Sequence, residues 1–164
     1  MSLPNRLQQV LDDWNVAYKI ASKGPLPDHS PVFNMPGIAE NTAQICVLED
    51  DIGKVQVIFP ATSLLDLNEL YTATARKLTP LDQAQIDQIR HGLNLESLPA
   101  LPQVTGLDTY VDESLLSYET VSMELSAEQT LEMPQADFQT LVSSARIGHY
   151  TANIPEMRMP GEHW

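Results

Sequence analysis

The chain has 164 residues and a mass of 18.2 kDa, the size of one domain able to bury its own core. Hydrophobic residues make up 43% and charged residues 19%, a globular composition that argues against disorder. The formal charge is −13, and no run of 18 apolar residues exists, so neither a membrane-spanning helix nor a strongly basic nucleic-acid binder is expected.

The single cysteine, Cys46, has no partner for an internal disulfide. The opening MSLPNRLQQVLDDW carries charges where a signal peptide needs an apolar run, which argues for a soluble cytoplasmic protein. The basic residues are Arg6, Lys19, Lys23, Lys54, Arg76, Lys77, Arg90, Arg146 and Arg158, with none between Arg90 and Arg146. That gap is rich in Asp and Glu and reads as a solvated face.

In chain order, Leu3, Leu7, Val10, Leu11 and Trp14 recur at helical spacing and predict an amphipathic helix over 3–14. Val16 to Ala21 suits a short strand. Residues 23–37, with four prolines and two glycines, predict a long loop. AQICVLE at 43–49 is apolar on both faces, as in a central strand, and KVQVIFP at 54–60 returns from a turn to complete a hairpin. Asp66 and Glu69 resemble a capping box for a helix burying Leu67, Leu70, Tyr71 and Ala75 or Leu78. Thr79 then predicts the cap of a second helix, with Pro80 first, Leu81, Ile86 and Ile89 on its apolar side, and Gly92 at its end.

Residues 93–107 predict another loop. Thr109 to Asp112, 118–125 and Leu131 to Met133 predict strands. Pro134 opens a helix to about Arg146 that buries Phe138, Leu141 and Val142, and 147–164 reads as a tail. This order predicts an α+β fold, one domain around one sheet.

No strong catalytic motif is present: there is no GxGxxG, Walker A, HExxH or GxSxG. His29, His91, His149 and His163 stand far apart and predict no metal site. Cys46, inside an apolar strand, reads as a small hydrophobe. Asp112, Glu113 and Ser114 read as a turn or cap after a strand.

Five segments, TAQICVLEDD, VQVIFPATSLLDLNEL, IRHGL, SLPALPQVTG and TYVDESLL, follow one another between about Ala39 and Val142. In order and spacing they resemble the YbaK-like family, the editing domains associated with prolyl-tRNA synthetase. The resemblance implies a mixed, strongly curved sheet with helices packed around it over residues 1–146, and a pocket for the aminoacyl end of tRNA. It implies no cofactor or metal.

In that family a lysine on the first hairpin strand contacts the substrate and is needed for ester hydrolysis; Gln44 stands at the matching position here. The family's loop has a GxxxP motif, whereas 93–105 contains no glycine and Pro102 best matches the proline. The implied substrate-binding set is Gln44, Leu98, Pro99, Ala100, Leu101, Pro102 and Asp112. No catalytic residue stands out among them.

Two functions follow from the resemblance. One is a trans-acting deacylase of mischarged tRNA(Pro) or a related tRNA, with an altered site. The other is a catalytically degenerate module that binds a ligand or a protein partner, in keeping with the fusion of such domains to signalling modules.

Overall fold

The computed structural model describes residues 5–22, 41–126 and 129–152. Helix α1 (Asn5–Asp13) leads to strand β1 (Lys19–Ser22), and the hairpin follows as β2 (Thr42–Glu49) and β3 (Lys54–Pro60). Next come β4 (Leu64–Leu65), α2 (Leu67–Thr74), β5 (Thr79–Pro80), α3 (Gln83–Leu93) and a short α4 (Pro102–Thr105). Strand β6 (Asp108–Asp112) runs into a 3-10 turn, Glu113–Ser117. The remainder is β7 (Thr120–Glu124), β8 (Gln129–Pro134), α5 (Gln135–Leu141), β9 (Arg146–Gly148) and β10 (Thr151–Ala152).

Eight strands form one mixed sheet in the order β1-β8-β7-β2-β3-β6-β9, with β5 added beside β2; β10 and β4 pair separately. The apolar run of β2 reflects burial on both faces. Ala43, with Ile58 and Val111, joins a large core built from α1, α4, α5, β7 and β8, including Leu7, Leu101, Met123, Leu131 and Phe138. The alternate residues, Leu48, Val55, Val57, Phe59 and Tyr110, meet Leu70 of α2, Leu78 and Tyr150 on the other face.

Several boundaries depart from the sequence expectation. Thr79 and Pro80 do not begin a helix; they pair with Glu49 and Leu48 of β2. The cap is Asp82, in a reciprocal capping box with Gln85. Helix α3 passes through Gly92 and ends at Asn94, left-handed at φ 59°. No residue of α3 is fully buried. At α2 the Asp66 carboxylate does cap Asn68 and Glu69, but Leu67 and Tyr71 are exposed and only Leu70 faces the core.

The last helix stops at Leu141 rather than Arg146. Arg146–Gly148 instead pairs in parallel with Tyr110–Asp112, and Thr151–Ala152 pairs with Leu64–Leu65. Residues 147–152 are therefore part of the folded body, because an edge strand's hydrogen bonds are satisfied better by sheet pairing than by a frayed helix end. Gly148 permits this path, since the Tyr150 hydroxyl lies 2.7 Å from where a Cβ would stand. The 23–37 loop and residues 153–164 lie outside the described residues.

The hairpin tip is tied to the end of α2. Arg76 donates to both Asp50 oxygens, at 2.8 and 2.6 Å, while Asp50 also accepts from the amides of Ile52 and Gly53. The arginine hydrogen bonds hold the Asp50 carboxyl well below the usual carboxylate range. A depressed folded value means that this stabilisation is complete above roughly pH 4, the ordinary carboxylate value, and is lost as pH falls below it. Arg76→Gln is thus expected to destabilise the fold at pH 7 and to matter progressively less toward pH 2. Urea melts across that range measure it; an equal loss at both ends would show that the ion pair is not the source.

Candidate active site at an opening in the sheet

Strand β2 is paired with β3 from Ala43 to Glu49, but its other edge is shared by two short neighbours. Strand β7 meets it only at Thr42 and Ala43, and β5 only at Leu48 and Glu49. The β7 end is pinned by Asn41, whose carbonyl accepts from the Ser122 amide and whose Nδ2 donates to the Thr120 carbonyl at 2.8 Å. Beyond β5, the Leu81 amide donates to the Val47 carbonyl at 3.0 Å. Between these ties no described strand pairs with β2.

A cleft of about 400 Å³ occupies the opening, lined by Ala43, Gln44, Ile45, Cys46, Val47, Phe59, Leu81, Ile86, Leu98 and Glu124. Three elements build its walls. Helix α3 contributes Ile86 and its lead-in Leu81. Gln44 and its cross-strand partner Phe59 form the floor on one face. Leu98 comes from the loop between α3 and α4.

That loop is held at both ends. Arg90 donates to the carbonyls of Leu95 and Glu96 and to Asp87. At the far end, buried Gln56 donates to Thr109 Oγ1 at 2.8 Å and accepts from Thr105 Oγ1 at 2.6 Å, fixing the turn after α4. Ser97 Oγ lies 3.5 Å from Glu124 Oε1, which brings the loop beside the end of β7.

The structure separates the residues singled out from the sequence. Gln44, exposed, and Leu98, half-buried, meet in the cleft. Pro99, Ala100 and Leu101 are buried, the last two within the large core, so they anchor the loop rather than line the cleft. Pro102 opens α4 and faces a different hollow beside Trp14.

Asp112 is 1% exposed and is committed to the fold. Its Oδ1 accepts from the Tyr150 amide at 2.8 Å and from Thr151 Oγ1 at 3.2 Å, while Oδ2 accepts from the amide and hydroxyl of Ser114. The cap after the strand was legible in the sequence; the reach to Tyr150 was not.

Sequence reasoning missed Ile45, Leu81, Ile86 and Glu124 as cleft residues. Glu124 lay within a stretch read as a solvated face, and only its end-of-strand position sets it apart. Burial pushes the Cys46 thiol up from its ordinary value, so it is not a thiolate at neutral pH. No Lys, Arg or His is among the described residues that line the cleft. Among the described residues no group of three or more His, Cys, Asp or Glu could hold a metal ion, and no helix is long and apolar enough to cross a membrane.

The profile of the aminoacyl-tRNA editing domain family matches residues 37–141, which contain the hairpin, α3, the cleft loop and β7. The chain belongs to that family. A search of curated proteins returns no match. Among solved structures, the editing domain is similar to part of a candidate signal transduction protein from Marinobacter aquaeolei VT8, at 28% identity and a TM-score of 0.78. The match covers 93% of this chain but spans only 31% of that protein. A candidate trans-editing enzyme for prolyl-tRNA synthetase shares the fold at 16% identity, with a TM-score of 0.66 and coverage of 92% of this chain and 97% of the other. The editing-domain fold is thus the one expected from the sequence.

Proposed function

We propose that this editing domain hydrolyses the ester of an aminoacyl-tRNA supplied in trans, with the acceptor end entering the cleft at Gln44. The observation that carries the reading is the cleft itself: family membership extends over the strand, helix and loop that form it, and it opens beside Gln44, which the sequence resemblance sets at the family's lysine position. Ester hydrolysis needs a water placed against the carbonyl and donors aimed at the oxygen that becomes negative. Gln44 offers an amide dipole there instead of a full charge, so turnover is expected to be slow.

The test is deacylation of alanyl- and prolyl-tRNA(Pro) by the wild-type protein beside an enzyme-free control. Turnover above the control supports the reading; none over hours, with folded protein, overturns it. The second reading is a binding module that has lost catalysis. It is favoured by the absence of a cation among the described residues that line the cleft and by the 28% identical domain embedded in a longer candidate signalling protein.

Contacts to the tRNA body are expected to be few. Lys19, Lys54, Arg76 and Arg90 each lie within 4 Å of an acidic partner: Glu132, Glu49, Asp50 and Asp87 respectively. Among the described residues this leaves Lys77 and Arg146 as basic side chains outside any ion pair. Binding of uncharged tRNA should therefore be weak, with a log–log salt slope of roughly −2 to −3, because each phosphate neutralised contributes about −0.9. Anisotropy titrations from low to moderate salt measure it; a slope steeper than about −5 would reveal a basic surface beyond these two side chains.

A further inference from the structure

A second hollow, of about 350 Å³, lies apart from the cleft at Gln44, and no described residue lines both. Three chain segments meet there: Trp14 just after α1, Pro102 to Thr109 across α4 into β6, and Ser144 just after α5. Each segment is held in place. Helix α1 packs on α4; the Trp14 amide donates to the Val10 carbonyl at 3.1 Å, and Asn15, left-handed at φ 50°, ends the helix. Gln103 ties α4 to α5 by donating to the Leu141 carbonyl at 2.6 Å, and Gln56 fixes Thr105 and Thr109. The hollow is thus preformed, as binding sites commonly are. Trp14 lines it and is still 37% exposed. The surrounding charge is negative. Exposed Asp12 and Asp13 stand in the last turn of α1, where the helix dipole is already negative and no basic residue offsets it. Asp108, also exposed, lines the hollow from the start of β6. Arg146, the basic residue nearest Ser144 in sequence, is level with Tyr110, which packs in the core on the other face of the sheet.

We infer that this hollow is a docking site for an arginine side chain of a protein partner, with Trp14 as the stacking surface and Asp108 as the counter-charge. A guanidinium is planar, so it can lie on the indole face while its edge donates to a carboxylate. The Ser144 hydroxyl, also lining the hollow, offers a further acceptor. A large rigid aromatic beside a preformed hollow is the kind of residue that anchors protein interfaces. The formal charge of −13 draws a basic segment toward the chain, and does so more strongly at low salt. A nucleotide would find the same stacking surface, but its phosphate would meet Asp12, Asp13 and Asp108, so the charge favours a protein. The site is independent of the deacylase reading, since it uses neither Gln44 nor the cleft loop around Leu98.

The probes are the peptide acetyl-Gly-Ser-Arg-Ser-Gly-amide, its counterpart with neutral citrulline in place of arginine, and adenosine monophosphate. Each is titrated into the full chain carrying Trp164→Phe, which leaves Trp14 as the sole tryptophan, so that its fluorescence and its indole N–H resonance report the site directly. The arginine peptide is expected to shift both signals and to bind about 10-fold more tightly than the citrulline peptide, the combined size of a cation–π contact and a charge-assisted hydrogen bond. That preference should shrink as salt is added. Asp108→Asn should weaken the arginine peptide about 5-fold and leave the citrulline peptide unchanged. Trp14→Ala, followed through the amide resonances of Gly106 and Ser144, should abolish binding of both peptides; thermal melts confirm that each variant folds, and Asp108→Asn, an exposed change, decides the matter if Trp14→Ala does not. Equal binding of the two peptides, an undiminished preference in Asp108→Asn, or no shift at Trp14 at millimolar peptide would each overturn the inference. Tighter binding of adenosine monophosphate than of the arginine peptide would overturn it too, and would make the hollow a nucleic-acid contact instead.

Discussion

Replacing Asp112 by alanine is expected to cost about 3 kcal/mol of stability. The Tyr150 amide and Thr151 hydroxyl would lose their buried acceptor, at about 1–3 kcal/mol for each orphaned buried donor. The cap on the Ser114 amide would be lost as well, and caps contribute about 1 kcal/mol. Release from desolvating a carboxylate offsets part of the sum. Asp112→Asn keeps an acceptor oxygen of the same shape and should cost less than half as much. Denaturant melts of both variants measure the difference. A cost under about 0.5 kcal/mol for alanine would mean that the carboxylate does not hold the C-terminal strands. An asparagine variant of native stability that had lost all activity would instead return Asp112 to the substrate.

Gln44→Lys is expected to raise deacylation of alanyl-tRNA(Pro) by up to about 100-fold over the wild type, since a single oxyanion-stabilising contact contributes on the order of 100-fold to 1000-fold. The lower bound applies here for two reasons visible around position 44. The loop carrying Leu98 lacks the family's glycine, and Leu98 occupies the cleft wall. Glu124 also lines the cleft that holds position 44, so a lysine there would share its charge with the carboxylate. The double variant Gln44→Lys with Glu124→Gln should therefore outpace the single one in kcat. Single-turnover rates of the three proteins measure this. A single variant no faster than the wild type, with the double variant equally slow, would show that position 44 does not face the reacting ester.

The sequence by itself determined much of the fold. Seven consecutive residues of AQICVLE, polar only at Gln44 and at the end, announced a strand buried on both faces, and the two cores on either side of β2 account for that run. Asp66 announced a helix start through its short-range cap, and Asp112 a turn after a strand. These signals were legible because the physics behind them, side-chain periodicity and local capping, acts within a few residues.

The tertiary structure alone decided the rest. Thr79–Pro80 carries a helix-start pattern, yet it becomes a strand because the β2 edge offers its backbone better partners. Arg146–Gly148 leaves the helix for the same reason, beside β6. The site followed the same rule. Gln44 was visible in the chain, but the gap beside it exists because β7 and β5 are both too short to meet along β2, and Glu124 reaches that gap from 80 residues away in sequence. Such a site depends on where hydrogen-bonded pairing ends, and pairing between distant strands leaves no periodic trace in either one.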